Sequence, residues 1–347
     1  MMSPLATARL IGRTVLAVAL ASTAVIASAA SPSERVESGK AVTFGQIDDQ
    51  GFAVEKIDDG HFAIHEPGYW QRNVAYLIVG SQRALLLDPA GSPGTDISKV
   101  VRRLTHKPVT VLPSHLHFDH IGGLRYFSDI ALIDIPFTRD MVDSDGLVRV
   151  PASAHLGASE DFEASPFRVT RWLAPGDTIE LGGLTLDVLS LPGHSPDTTV
   201  LVERGGERIW TGDHLYPGEL YAHLPDSDVA QYLASHRALK AHVAPLPRIF
   251  GGHNNVAGGA SQGEDAAPVR VTVLGQPDAL ALEQALSRAD ARQRASAGLA
   301  DAASANDAGT PVSDAFGEGM RYRVNDRLSL IEPLPVETPP APRDPVQ

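Results

Sequence analysis

The segment His115-Leu116-His117-Phe118-Asp119-His120 constrains this chain more than any other. Three imidazoles and a carboxylate fall within six residues, after an apolar run at Val109 to Leu112 and before Gly122-Gly123. In an extended stretch, residues two apart point the same way, so His115 and His117 face one point together. Asp119 and His120 come where the chain turns into a helix expected over Ile121 to Phe127, so they aim elsewhere, toward a second ion. Imidazole and carboxylate without thiolate suit zinc, and also manganese, iron or cobalt. With 13 histidines among 347 residues, such a pattern arises by chance on the order of once in a thousand chains.

Three further positions complete a ligand set. His194 lies in Leu191-Pro192-Gly193-His194-Ser195-Pro196, Asp213 in Trp210-Thr211-Gly212-Asp213-His214, and His253 in Ile249-Phe250-Gly251-Gly252-His253-Asn254. Each follows a short apolar run and sits beside glycine, where a strand gives way to a loop. Such junctions carry function on a rigid scaffold. Ser195 is read as a tight-turn residue, and no Ser-His-Asp arrangement competes with the metal ligands.

On these motif positions, the stretch from Val42 to Asn255 resembles the metallo-β-lactamase superfamily. The resemblance implies an α+β fold, a four-layer αββα sandwich. It implies two zinc ions, one held by His115, His117 and His194, the other by Asp119, His120 and His253, with Asp213 bridging them. An acid at Asp213 is similar to the glyoxalase II and lactonase branch, whereas the β-lactamases proper lack one. The implied reaction is hydrolysis of an ester, lactone or thioester by a hydroxide shared between the ions, with Asp119 serving the leaving group or its proton. Tyr216, three residues after Asp213, is where similar lactonases and thioesterases place a tyrosine. It is read either as an oxyanion donor or as a ring packed under the site. Trp70 is read either as an aromatic cover for an apolar substrate or as a core residue.

Ser114 to Gly123 resembles quorum-quenching lactonases, and Gly212 to Ser235 resembles acyl-coenzyme A thioesterases. No basic cluster stands out for a coenzyme A or glutathione tail, unless Arg102, Arg103 and Lys107 converge. Two readings of other kinds remain: a periplasmic β-lactamase, against which Asp213 argues, and a non-hydrolytic metal-binding or redox member of the superfamily.

Formal net charge is −13, and no basic run offsets the acidic excess, which argues against a nuclease and against nucleic-acid partners. Cysteine is absent, so disulfides and thiolate ligands are excluded. Arg9 and Arg13 precede an uncharged stretch from Thr14 to Ser31 that ends in Ala27-Ser28-Ala29. That is the pattern of a secretory signal peptide over residues 1–29. Its apolar core, Val15 to Ile26, is short against the ~20 residues a membrane span needs. A periplasmic or secreted enzyme is therefore expected, with no membrane span after cleavage. Export favours ester or lactone substrates over coenzyme A thioesters.

The catalytic domain is expected over 40–255. Hairpins are expected at Phe52–Ile57 with Phe62–His65 and at Val74–Val79 with Ala84–Leu87. A helix is expected over Ile97–Leu104, capped by Thr95 or Asp96, and a strand over Ile130–Ile133. Pro136 to Pro166 reads as a long lid or binding loop. Thr178 to Trp210 reads as strands, and Asp228–Val243 as an amphipathic helix capped by Ser227. In the C-terminal extension, 256–347, a loop at Val256–Pro268 precedes a helix over Asp278–Ala297 whose apolar face is Leu280, Leu282, Ala285 and Leu286. A flexible linker over Ser296–Thr310, a hairpin of Arg321–Val324 with Leu328–Ile331, and a disordered end complete it. No chemistry is expected of this extension.

Overall fold

The computed structural model describes residues 44–205, 207–255, 269–297 and 309–334. The expected signal peptide, the 256–268 loop, most of the linker and the last residues of the tail lie outside them. No helix among the described residues is long and apolar enough to cross a membrane.

The first sheet contains β1 (Ala53–Asp58), β2 (His61–His65), β3 (Val74–Val79), β4 (Ala84–Leu87) and β5 (Val109–Leu112), hydrogen-bonded in chain order. The first four strands run antiparallel, with short turns after β1 and β3 and the longer loop Glu66 to Asn73 between β2 and β3. Strand β5 runs parallel to β4, and a parallel pair needs a crossover. Helix α1 (Ile97–Leu104) supplies it, capped by Asp96, whose carboxylate accepts from the Ser98 amide at 3.1 Å. The chain then makes α2 (Phe118–Ile121) and β6 (Ala131–Ile133), with α3 (Pro136–Arg139) and α4 (Ala152–His155) punctuating the expected long loop. Strand β7 (Arg171–Leu173) returns parallel to β6.

The second sheet is built from β8 (Thr178–Glu180), β9 (Thr185–Ser190), β10 (Thr199–Glu203) and β11 (Arg208–Gly212). The chain leaves it for β12 (Gly218–Tyr221) and α5 (Val229–His242), then returns as β13 (Arg248–Gly251), parallel to β11. Helix α6 (Gln276–Ser296) follows. Strands β14 (Thr310–Asp314), β15 (Gly317–Arg323) and β16 (Leu328–Pro333) join β12 in a separate sheet, in the order β12-β16-β15-β14.

Three cores make four layers. Val74, Tyr76 and Ile78 of β3 point into the core between the sheets, against Leu186, Leu201, Trp210 and Phe250. Ala75 and Leu77, the alternate residues, pack toward α1 with Val100 and Val101. In the second sheet, Val200, Val202 and Ile209 face α5 and α6, meeting Tyr232, Leu239, Leu282 and Leu286. Strands buried on both faces must be apolar at every position, which is why β3 and β4 read as continuous runs. Each such side chain contributes about 1.5–3 kcal/mol on burial.

Local expectations needed correction in four places. The helix expected over Ile121–Phe127 is instead a turn at Phe118–Ile121, carrying Asp119 and His120, followed by a 3-10 turn at Leu124–Tyr126. Asp228, not Ser227, caps α5, its carboxylate accepting from the Gln231 amide at 2.9 Å. The Ser227 hydroxyl instead donates to the His194 carbonyl at 2.6 Å. Leu280, placed on the apolar face of α6, is 42% exposed, while Ala279 and Ala289 complete that face. The tail hairpin is longer than expected and carries a third strand, β14.

Candidate metal centre

The seven predicted ligands all leave strand ends at one edge of the sandwich. His115 and His117 follow β5, and Asp119 and His120 lie on α2. His194 sits between β9 and β10, Asp213 follows β11, and His253 follows β13. Backbone bonds lock the two sheets together here: the Thr199 amide donates to the Ser114 carbonyl at 2.7 Å, and the Val74 amide to the Gly252 carbonyl at 2.8 Å. Glycine is required at Gly252, where a Cβ would stand 2.6 Å from Asp213 Oδ1 and 3.0 Å from His120 Cε1.

All seven side chains are buried. His115 Nε2 lies 2.9 Å from His117 Nδ1, which lies 3.2 Å from His194 Nε2. Asp119 Oδ2 lies 3.4 Å from His120 Nε2 and 3.5 Å from His253 Nε2. Asp213 stands between the two groups, with Oδ2 at 3.0 Å from His253 Nε2 and 3.6 Å from His194 Nε2, and Oδ1 at 3.4 Å from His120 Nε2. Each group has the donor set to hold a metal ion.

The outward nitrogen of every histidine has its own neighbour. His253 Nδ1 donates to the Gln71 carbonyl at 2.7 Å and His194 Nδ1 to the Tyr221 carbonyl at 3.0 Å. A carbonyl can only accept, so the proton sits on Nδ1 and Nε2 keeps its lone pair for the centre. His115 Nδ1 lies 3.0 Å from Ser114 Oγ, His117 Nε2 3.4 Å from Asp226 Oδ2, and His120 Nδ1 3.2 Å from Asp88 Oδ2. Such outer partners orient metal-binding imidazoles. Asp88 is held at φ +54°, in the left-handed region, while its other oxygen accepts from the Ser114 amide at 2.6 Å.

Electrostatics and unsatisfied atoms both fit a cation. Burial opposes a charge on His120, but Asp119, Asp213 and Asp88 outweigh it and raise its pKa well above the usual imidazole value. Burial likewise opposes charge on His253, and Asp213 and Asp119 raise it. The first group is mixed: burial, with neighbouring imidazoles, pushes His115 well down and His194 to about 4, while burial of His117 is outweighed by Asp226, which raises it. His120 Nε2 and Asp213 Oδ1 are buried with no hydrogen-bond partner. Leaving such atoms unpaired costs about 1–3 kcal/mol each, a cost that coordination would remove.

His117, Asp119, His194, Asp213 and His253 open onto a cleft of about 290 Å³. Its walls are mostly apolar: Phe118, Leu156, Tyr221, Leu224 and Phe316, with Gln71. Among the described residues, no lysine or arginine lines it. Arg102, Arg103 and Lys107 do not converge on it; they bind Ser98, Asp48 and the Gly80 carbonyl respectively.

Tyr216 is not in the cleft wall. It is 1% exposed, its ring packs on His253 at 4.8 Å, and its hydroxyl donates to the Glu219 carbonyl. Of the two readings of Tyr216 the structure shows the packed ring, and Tyr221 is the tyrosine that faces the cleft. Trp70 is 54% exposed, with its indole donating to Glu160, outside the cleft lining. His214 is fully buried against His236, ring nitrogens 3.1 Å apart. Ser195 bonds Thr198 at 2.8 Å within its turn.

Residues 68–253 match the family model described as the Metallo-beta-lactamase superfamily, more than half of the chain. The chain belongs to that superfamily. Among curated superfamily relatives, it is 31% identical over 229 residues to chicken "Acyl-coenzyme A thioesterase MBLAC2", covering 60% of this chain and 82% of the relative. The human protein of that name is 26% identical over 232 residues, with the same coverage. "Hydroxyacylglutathione hydrolase GloC" of Haemophilus influenzae is 25% identical over 150 residues, covering 43% of this chain and 69% of that one. A solved metallo-beta-lactamase from Pontibacter korlensis aligns over 68% of this chain and 99% of its own, at 16% identity and a TM-score of 0.48. With its His and Asp clusters, the chain is a metal-dependent hydrolase of the superfamily.

Asp88, Asp226, Tyr221 and Phe316 were not among the residues singled out as ligands or catalytic groups. Asp88 had one usable sign, an acid at the end of an apolar strand. Asp226 stands within Leu224-Pro225-Asp226-Ser227-Asp228, but nothing local says which of its acids turns inward.

Proposed function

We propose that this hydrolase holds two zinc ions and cleaves an ester, lactone or thioester with an apolar acyl group, outside the cytoplasm. The observation that carries the reading is Asp213, a buried carboxylate within 3.6 Å of ring nitrogens from both ligand groups. His115, His117 and His194 would hold one ion, Asp119, His120 and His253 the other, and Asp213 both. When bound, such a pair supplies a water acidic enough to ionise near neutral pH and a Lewis acid for the acyl carbonyl.

The chain's own residues do the rest. Asn73 Nδ2 donates to Asp119 Oδ2 at 3.1 Å and to its backbone carbonyl at 2.9 Å, fixing the carboxylate at the cleft floor. Burial opposes the charge of Asp119, but His120 and His253 more than offset it and hold it ionised, well below the usual carboxylate range. Its place on the cleft lining, and not its basicity, is what would let Asp119 take the proton released as water attacks and pass it to the departing oxygen or sulfur. Phe118, Leu156 and Leu224 exclude water from the acyl side. Tyr221, on the cleft wall, takes the carbonyl-polarising role that was one of the two readings of Tyr216.

Among the described residues no basic side chain lines the cleft, which supports recognition through the acyl group and not through a phosphorylated leaving group. The relatives named as thioesterase and hydroxyacylglutathione hydrolase support the bond type. Export rests on the sequence pattern of residues 1–29. Metal analysis of the purified protein, then turnover of p-nitrophenyl esters, acyl lactones, thioesters and nitrocefin, tests the reading. Two zinc ions with ester, lactone or thioester turnover above nitrocefin turnover is expected. One metal in excess zinc, or nitrocefin as the best substrate, overturns it. N-terminal sequencing of the mature protein from periplasm and medium tests export; an intact Met1 terminus there counts against cleavage.

A further inference from the structure

One wall of the cleft comes from outside the superfamily match. Phe316 lies 63 residues beyond His253, in a part of the chain for which no chemistry was expected, yet it lines the same cleft as His117 and Asp119. It occupies the two-residue turn Ala315-Phe316, where Asp314 of β14 faces Gly317 of β15.

That turn is built and anchored. Asp314 Oδ1 accepts from the amides of Phe316 at 2.9 Å and Gly317 at 3.2 Å, shaping the reversal. Asp314 Oδ2 also lies 3.2 Å from Nε2 of His223, whose ring is buried two residues after Tyr221. The Phe316 ring packs on Tyr221 at 6.0 Å. An isolated hairpin is marginal in water, so what positions this one is its docking. Strand β16 pairs parallel with β12 from Gly218↔Leu328 to Tyr221↔Ile331, and Arg292 of α6 grips the buried Glu332 with two bonds of 2.7 Å. Strand β12 begins five residues after Asp213, so the sheet register ties Phe316 to the metal centre.

We infer that Phe316 determines which acyl groups this enzyme accepts: the C-terminal hairpin completes the apolar wall, with Tyr221 and Leu224, and bounds the size of the acyl chain. The inference rests on the acyl-hydrolase reading above. Phe316 is one of five large apolar side chains on the wall of this cleft, beside Phe118, Leu156, Tyr221 and Leu224, so a change in its size changes the space left to the acyl group. A methylene more or less in such a pocket changes discrimination about tenfold or more.

The experiment is kcat/KM of the full-length, metal-loaded enzyme on p-nitrophenyl esters from acetate to decanoate and on matching acyl thioesters. Phe316→Ala should raise the ratio of long-chain to acetyl turnover about tenfold. Phe316→Trp should shift that ratio the other way, and Phe316→Leu should fall between. Zinc content and melting temperature should stay near wild type in all three. Opposite shifts in the Ala and Trp variants cannot arise from general loss of folded protein. A chain-length profile unchanged in both, or lowered evenly across the panel in both, overturns the inference while leaving the hydrolase reading intact. A wild-type enzyme that turns over no ester or thioester overturns the hydrolase reading, and this inference with it.

Discussion

The two ligand groups are assembled the same way from different chemistry. Each takes two residues from the 115–120 segment and one from a loop of the second sheet. One is three imidazoles. The other replaces an imidazole with Asp119, and its remaining histidines are pulled upward in pKa by the surrounding carboxylates. Nitrogen-only donors favour zinc, while a mixed oxygen and nitrogen set tolerates harder ions such as manganese. The lesson is that two residues' difference in position along one short segment, 117 against 119, sorts a neutral site from an anionic one. Asp213 stands between them, within 3.6 Å of ring nitrogens from both.

The largest effect should come from breaking what the groups share. Asp213→Asn removes the common charge, and kcat should fall by several orders of magnitude, with zinc per protein dropping below two by mass spectrometry. If this variant keeps both ions and a tenth of the activity, the shared role is wrong. Chelation of the wild-type enzyme should abolish turnover likewise, and zinc should restore it.

A second pair of variants separates the groups. His117→Ala should empty the all-imidazole site, and His253→Ala the anionic one, each leaving one ion and costing kcat several orders of magnitude. Manganese titration should refill the remaining mixed site in His117→Ala more readily than the remaining imidazole site in His253→Ala. Equal manganese affinity in the two variants would erase the distinction drawn here.

Smaller effects should follow from the outer partners. Asp226→Ala removes the carboxylate behind His117, and Asp88→Ala the one behind His120. Metal affinity should weaken about 10–100-fold, each variant at its own site. Loss spread evenly over both sites would mean the two groups act as one unit.

Tyr216→Phe should move kcat least. Its hydroxyl serves the Glu219 carbonyl, so the expected cost is about 1 kcal/mol of stability, seen as a lower melting temperature with turnover within threefold of wild type. Tyr221→Phe should cost more turnover than Tyr216→Phe; the reverse order would return the carbonyl-polarising role to Tyr216.

Acid sensitivity away from the centre provides the control. Burial raises the pKa of Asp58, but bonds from Arg208 and the nearby His61 outweigh it and bring it below the usual carboxylate value. A lowered folded pKa contributes stability above the unfolded value, and that stability disappears as pH falls through the folded one. Melting temperature should therefore drop below about pH 4, and Asp58→Asn should flatten that drop.

Much of this was legible in the chain itself. The strands β3 and β4 and helix α1 stand where alternation, glycine turns and a capping acid put them, because those signals are local. The H-x-H-x-D-H segment was legible for the same reason: its chemistry is concentrated in six residues. The two readings of Tyr216 stay open on the sequence because spacing from Asp213 says nothing about which way a side chain turns after the strand ends. Its hydroxyl found a carbonyl three residues on, and Tyr221, after the chain reversed, took the cleft. Ser227 and Asp228 are both good caps by type, and the choice fell to Asp228 because the Ser227 hydroxyl is engaged by the His194 loop.

The sequence by itself determined that the chain is a metal-dependent hydrolase of this superfamily, because ligand types and their spacing are properties of the chain. Only the tertiary structure decided which carboxylates stand behind the ligands, which tyrosine faces the cleft, and that the C-terminal hairpin closes it. Those facts depend on contacts between residues 32 to 109 positions apart, as between His120 and Asp88, His223 and Asp314, or His117 and Asp226. No local pattern encodes such a distance; the register of β16 against β12 and the meeting of two sheets do.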